Sequence, residues 1–272
     1  MPDLTPPTAL PLILPHLLRW PGLSAYIGPL QTVGGHTHRA TALLLAPDAP
    51  IRIRRPGGTW RPCAAAVLPA GFRHELDCGG HVLAVIYLDP LLHGQLDQSP
   101  LIADGSEPWA RRGRAAVRDF LDTNGRPGAN PAAETELHDR LQQDILPVIP
   151  RPPAATARHV RLRALGDLLA DGAPDLASPE MARELGLSDS HFSHLFSRHA
   201  GVSWTAYRNW RRLLDATRIL SQSPHAITRI ALDAGFSSPA HFAASFRDRF
   251  GITPSQLRGL GAQVTRSDNA DF

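Results

Sequence analysis

Hydrophobic residues change rhythm partway along the 272-residue chain. Up to about residue 90 they come in short runs bounded by glycine and proline: RATALLLA (39–46), IRIRR (51–55), AAAVLPA (64–70) and HVLAVIYL (81–88). Such runs predict short strands in a sheet that closes or stacks on itself. Beyond residue 108 the apolar interval lengthens to three or four residues. Val117, Phe120 and Leu121, then Leu137, Leu141, Ile145 and Leu146, mark two helices separated by the breaker TNGRPGANP. Their apolar positions would be buried either within one subunit or against a second copy. Four prolines then crowd PVIPRPPAATA (147–157), which reads as a stiff, extended connection. After it, RHVRLRALGDLLADG (158–172) opens a helical region.

That region contains a repeat. SPEMARELGLSDSHFSHLFSRHAG (178–201) returns as ALDAGFSSPAHFAASFRDRFGITP (231–254). Ala182, Gly186 and Ser188 match Ala231, Gly235 and Ser237 at an offset of 49, and Phe192, Phe196 and Gly201 match Phe242, Phe246 and Gly251 at an offset of 50. Each copy predicts a short helix closed by a glycine able to take the left-handed conformation, a serine cap, and a second helix with phenylalanines four apart on its buried face. The cap is Ser188 in the first copy and Ser237 or Ser238 in the second. A DNA-reading helix-turn-helix needs this division of faces. Solenoids generally stack three or more units, and here there are two. Between the copies, WTAYRNWRRLLDATRIL (204–220) has the period of an amphipathic helix that would set their separation.

Charge is divided along the chain. Residues 1–153 carry 14 Arg and 14 acidic residues, whereas residues 154–260 carry 13 Arg and 9 acidic residues, so the net charge of +3 belongs to the helical region. No lysine occurs. Arg198, Arg208, Arg211, Arg212, Arg247 and Arg249 are candidates for phosphate contacts, since each cation placed on a phosphate releases a counterion. The opening ALPLILPHLL lacks the basic flank and cleavage site of a signal peptide, and no apolar run reaches the ~18 residues of a membrane span. The expectation is a cytoplasmic protein, with no membrane contact, that keeps Cys63 and Cys78 reduced.

Residues 158–258 resemble the DNA-binding domain of AraC/XylS-type transcription regulators, and GFSSPAHFAASFRDRFGITPSQLR (235–258) matches the signature of the second unit almost position by position. The resemblance implies that both second helices enter the major groove. The readers would be Ser190, Ser193 and His194 in the first unit and Ala240, His241, Ala243 and Ala244 in the second. Many relatives carry arginine or a polar residue where this chain has Ala243 and Ala244, so base readout by the second unit should be weak. Double-stranded DNA and RNA polymerase are the implied partners, through activation or repression.

In the first half, GGHTHRATALLLA sets His36 and His38 two apart, so that on a strand both imidazoles share a face, and LPAGFRHELDC sets Pro69, Gly71 and His74 in a PxGxxH arrangement. Together these resemble the two motifs of cupins, the small β-barrels that serve as sensors in many such regulators. The cupin glutamate is absent, its neighbourhood being Ala40, Thr41 and Ala42. HxHR, GTW, LPAGxxH and a strand ending in YLDP resemble the subgroup of AraC-type regulators that includes a nickel-responsive regulator of metal efflux. By that likeness His36, His38 and His74, with Cys78 or Cys63 as a further ligand, would bind nickel, zinc or cobalt as an effector. The alternatives are structural histidines or an organic-ligand pocket.

The expected fold is α+β: a cupin-like barrel with dimerisation helices (1–146), a linker (147–157), a double helix-turn-helix domain (158–258) and a flexible tail (259–272). The expected function is ligand-responsive regulation of transcription by a homodimer. The competing class, a metal-dependent cupin enzyme with a helical appendage, is disfavoured by the missing glutamate and by the two DNA-reading units.

Overall fold

The structure is a computed structural model that describes residues 15–94, 99–124, 130–149, 162, 164–166, 169, 176–250, 252–259 and 263–266. The expected α+β architecture is present. Seven strands form a large sheet in the order β10 (Leu101–Ala103), β7 (Ala65–Leu68), β4 (Thr41–Leu45), β9 (Val82–Leu88), β2 (Leu23–Pro29), β1 (His16–Trp20) and β11 (Gln263–Arg266). Four form a small one: β3 (Thr32–His36), β8 (His74–Asp77), β5 (Ile51–Arg54) and β6 (Arg61–Cys63). All neighbours are antiparallel except β1 and β11.

The strands form two sheets, with no closed barrel among the described residues. Every residue of β4, β7 and β9 is buried, because both faces of the large sheet are covered. Ala42, Leu44, Ala66, Leu68, Val85 and Tyr87 join the core shared with the small sheet, including Ile51, Ile53 and Leu76. Their alternates Leu43, Leu45, Val67, Ile86 and Leu88 pack with α2 (Pro108–Asn124) and α3 (Pro131–Arg140). A strand buried on both sides reads as a continuous apolar run, which is why these segments stand out in the sequence. A Cβ at Gly113 would meet Leu45 at 2.9 Å, so α2 approaches β4 more closely than any other residue would permit. The small sheet has one wet face. On β5, Arg52 and Arg54 point outward and pair with Asp77 and Glu75 across β8.

Of the two burials open to the helix hairpin, the structure shows the one within the chain. Val117, Phe120, Leu121, Leu137, Leu141, Ile145 and Leu146 are all buried in the core on the large sheet's second face. A sheet with an apolar second face must cover it, and the hairpin does so within the chain. Past α3 the chain tightens through Leu146–Val148, and the rest of the proline-rich connection lies outside the described residues. Within the region expected as a flexible tail (259–272), residues 263–266 form β11 beside β1 and so return to the first half.

The helical half contains α4 (Ser178–Glu184), α5 (Asp189–Ala200), α6 (Trp204–Gln222), α7 (Ile227–Asp233), α8 (Pro239–Phe250) and α9 (Pro254–Gly259). The repeat extends to single hydrogen bonds. Gly186 and Gly235 both take positive φ, +62° and +78°. Leu187 N–H then donates to Ala182 O at 2.8 Å, and Phe236 N–H to Ala231 O at 3.0 Å. This six-to-one bond satisfies carbonyls that the end of a helix leaves unpaired. Ser188 Oγ caps α5 by accepting from His191 N–H, and Ser238 Oγ, rather than Ser237, accepts from His241 N–H on α8.

Candidate functional site

Phe192 and Phe196 of α5 pack edge-on against Trp204, while on α8 Phe242 packs edge-on against Phe236 and Phe246 against Phe242. With those faces buried, the opposite faces are presented outward. On α5, Ser190, His194 and Arg198 are exposed; Ser193 is half-buried, its Oγ 3.1 Å from Ser178 Oγ, which ties it to α4. On α8, Ala240, His241, Ala244 and Arg247 are exposed and Ala243 is half-buried. His191, one helical turn before His194 and also exposed, belongs to the same outward surface; its i, i+3 spacing from His194 was the available signal.

Three of the arginines named for phosphate contact are engaged within the protein. Arg211 donates to Leu169 O at 3.4 Å and lies close enough to Asp89 to favour its charged form. Arg212 donates to Gly235 O at 3.0 Å, bracing the turn of the second pair. Arg249 pairs with Asp248 at 2.5 Å and its side chain is only 16% exposed. A guanidinium already satisfied by a main-chain carbonyl or a carboxylate would have to abandon that partner to reach a phosphate. Arg198 and Arg247 remain on the surface, and Arg208 is half-buried.

The second constellation sits at the end of the small sheet. His36 of β3 and His74 of β8 are directly cross-strand partners. His38 lies just beyond the strand, so the expected i, i+2 alternation is not what aligns it; β3 is irregular between Val33 and His36. The three rings nevertheless converge, with centroids 4.8, 4.3 and 5.0 Å apart. All three residues are buried, and one ring nitrogen of each lies within 4.8 Å of the others. The Nδ1 of His36, His38 and His74 meets Gly34 O, Arg249 O and Phe72 O respectively, each at 2.9 Å. A carbonyl only accepts, so each Nδ1 carries the proton and each Nε2 keeps its lone pair. The Nε2 atoms of His38 and His74 are buried with no partner.

Burial holds all three imidazoles neutral. It pushes His74 down to about 3, with the neighbouring His36 adding to the shift. His38 is driven well below its ordinary value by burial and by both neighbouring histidines, and His36 is lowered by burial. Neutral, oriented imidazoles with orphaned lone pairs suit a transition ion, because every unshared pair would gain a partner. An ion held at ~2.1 Å in tetrahedral geometry spaces its ligands by roughly 3.4 Å, so the rings would draw inward slightly on binding. Cys78 and Cys63 lie outside this group. Cys78 follows His74 by four residues, which at ~3.3 Å per residue carries it roughly 13 Å along the strand. It is buried in the apolar core near Cys63, and both thiols are pushed up to about 12, chiefly by burial.

Contacts between the two halves gather on the far ends of the two outward-facing helices and on α6. His199 near the end of α5 lies 2.7 Å from Leu91 O, on α1 (Pro90–His93). At the end of α8, Asp248 O accepts from Thr37 N–H at 3.4 Å and Arg249 O from His38. Tyr207 Oη, on α6, meets both carboxylate oxygens of half-buried Asp89 at 3.1 Å, and Arg19 pairs with Asp215 at 2.5 Å. Burial raises Asp89, the largest influence on it. Sequence reasoning missed Asp89 and Tyr207, since nothing local marks residues 118 positions apart as partners.

A family model described as a helix-turn-helix domain matches residues 181–259. Those residues form a helix-turn-helix domain. Over 78 residues the chain is 45% identical to the HTH-type transcriptional regulator GlxA of Rhizobium meliloti, a match covering 29% of this chain and 24% of that protein. Over 79 residues it is 43% identical to the virulence regulon transcriptional activator VirF of Yersinia enterocolitica, covering 29% of each. The chain thus spans less than a third of either relative's length. Across the whole fold, apo ToxT from Vibrio cholerae superposes with a TM-score of 0.55 at 12% identity, covering 88% of this chain and 97% of that one. ToxT bound to (E)-4-(8-methylnaphthalen-1-yl)but-3-enoic acid gives 0.54 at 9% identity, covering 88% and 99%. These likenesses show that the helix-turn-helix domain and the sheets in front of it share the ToxT fold. Among the described residues no helix is long and apolar enough to cross a membrane.

Proposed function

We propose that the chain is an AraC-type transcription regulator that reads double-stranded DNA with α5 and α8 and senses a transition metal ion through His36, His38 and His74. The carrying observation is the pair of matched helices whose N-terminal halves face outward while their far ends meet the first half of the chain, α5 at α1 and α8 beside β3. Helices that enter the major groove contact bases through their first turns, so this arrangement leaves the reading ends free. Ser190, His191 and His194 offer hydrogen-bonding groups to base edges; Ala240, Ala243 and Ala244 offer only methyl contacts, with His241 the polar exception. Arg198 and Arg247 would neutralise phosphates.

When bound, the ion would join two strands of the small sheet to the loop that follows β3. An organic acid, such as the one bound in the ToxT complex, is the other ligand class, and the neutral imidazole trio favours metal. RNA polymerase follows as a partner from the role in transcription. A homodimer would have to use surfaces other than the buried faces of α2 and α3. The decisive test is salt-dependent retardation of the protein's own upstream DNA, compared between wild type and a His36→Ala, His38→Ala, His74→Ala variant with and without nickel, zinc or cobalt. Binding that is specific and steeply weakened by salt supports the regulator; salt-insensitive or absent binding refutes it. Equal metal affinity in both proteins removes the ion from the proposal.

A further inference from the structure

Two of the three histidines are oriented locally. His36 and His74 each use a carbonyl two residues earlier in the chain, Gly34 O and Phe72 O. His38 is different: its Nδ1–H donates to Arg249 O, 211 positions away in the last turn of α8. That carbonyl is one of the last four of its helix, which have no intrahelical partner and must find one elsewhere. The neighbouring carbonyl, Asp248 O, is taken by Thr37 N–H, next to His38. Tyr87 stands edge-on to His38, with ring centroids 5.1 Å apart, and Phe250 packs on Tyr87 at 5.9 Å, so the histidine cluster and the docking contact share a side chain.

We propose that the C-terminal turn of α8 completes the ion site, so that ion binding and docking of the second helix-turn-helix unit onto the small sheet form one linked equilibrium in which the ion favours the docked arrangement. This rests on the reading of His36, His38 and His74 as an ion site. The physical link is the His38 ring. A cation on Nε2 polarises the imidazole and strengthens the bond from Nδ1–H to its carbonyl; removing that carbonyl leaves a buried donor unpaired and the ring free to turn. Loss of such an outer partner typically lowers metal affinity about 10- to 100-fold. By reciprocity, the ion must stabilise docking by the same factor. Among the described residues no carbonyl of the first unit meets the cluster, so the ion would act on the second unit's position.

Hydrogen exchange on the full chain, with nickel, zinc or cobalt added in turn, tests this without altering any residue. The expected result is slower exchange of main-chain amides in α8 and at Thr37, beside slower exchange in β3 and β8, with α5 unchanged. In parallel, Phe250→Ala, which touches no ligand, should bind the same ion about 10-fold more weakly by calorimetry. If the ion binds and slows β3 and β8 while α8 exchanges at its metal-free rate, the linkage is overturned and the ion site stands. If wild type binds no ion more tightly than the triple histidine variant, the ion reading fails and the linkage with it. The exchange result decides the matter whether or not Phe250→Ala folds.

Discussion

In the first helix-turn-helix unit Leu187 N–H reaches Ala182 O, in the second Phe236 N–H reaches Ala231 O, and in both a serine caps the outward helix over two buried phenylalanines. On the outer faces the likeness is reduced to the aligned pair His191 and His241. The first unit presents Ser190, His191 and His194, the second Ala240, His241 and Ala244. The far end of the first is held through a side chain, His199, on Leu91 O, and that of the second through two of its own carbonyls, one of them in the histidine cluster. Scaffold and surface therefore answer to different demands. Packing constrains both copies alike, whereas the outer residues are free to divide reading from regulation.

If the scaffolds are equivalent, truncating equivalent core rings should cost the same. Phe196→Ala and Phe246→Ala should each destabilise the helical half by about 3–5 kcal/mol, the usual cost of emptying a buried phenylalanine site. Thermal melts followed by circular dichroism would show it, and a cost confined to one unit would break the equivalence.

Acid should act next on the histidine cluster that the second unit alone contacts among the described residues. Since the folded-state pKa values of the three histidines lie below the ordinary 6.5, the metal-free fold is fully stabilised by them above about 6.5. The unfolded chain binds more protons below that pH, so stability falls as pH drops from 6.5 toward the value near 3 of His74. Denaturant midpoints measured from pH 7.5 to 4 should decline in wild type and more shallowly in the triple histidine variant. Parallel curves would remove the cluster as the acid-sensitive element.

Readout should differ by less. His194→Ala should weaken specific binding by roughly 1–3 kcal/mol without changing the salt slope, and Ala244→Ser, which adds a hydroxyl to the alanine face, should change it far less. Smallest of all, Arg198→Ala and Arg247→Ala should each lower the salt slope by about 1 and weaken all sequences alike. A slope change of that kind from Arg211→Ala instead would mean that this side chain leaves Leu169 O on DNA.

What was legible from sequence follows the same division. The repeated glycines, serines and phenylalanines signal a local fold, and the helix-turn-helix pairs could be read because their defining contacts lie within twenty residues of one another. β4, β5, β7 and β9 were visible as apolar runs. β1, β2 and β3 were not, because LRWPGLSAYIGPLQTVGG mixes glycine, proline and polar residues with apolar ones and takes its order from pairing with distant strands. The three histidines were recognisable as a group, but His38 joins it from outside the strand and Cys78 is carried away along it. Arg211 and Arg212 look alike on paper; only the packed structure tells which carbonyl each one meets. Asp89 with Tyr207, and His38 with Arg249 O, are pairings between halves that no local pattern encodes.

The central claim, one reading unit rich in base contacts and one poor in them, is tested most directly by selecting duplexes from a random pool with the purified full chain and then measuring binding of every single-base variant of the selected site. The account predicts a site with two segments about one helical turn apart, sharply sensitive to substitution under the first unit, by roughly 1–3 kcal/mol per base, and tolerant under the second. Two equally sensitive segments, or no enrichment over the starting pool, would contradict it.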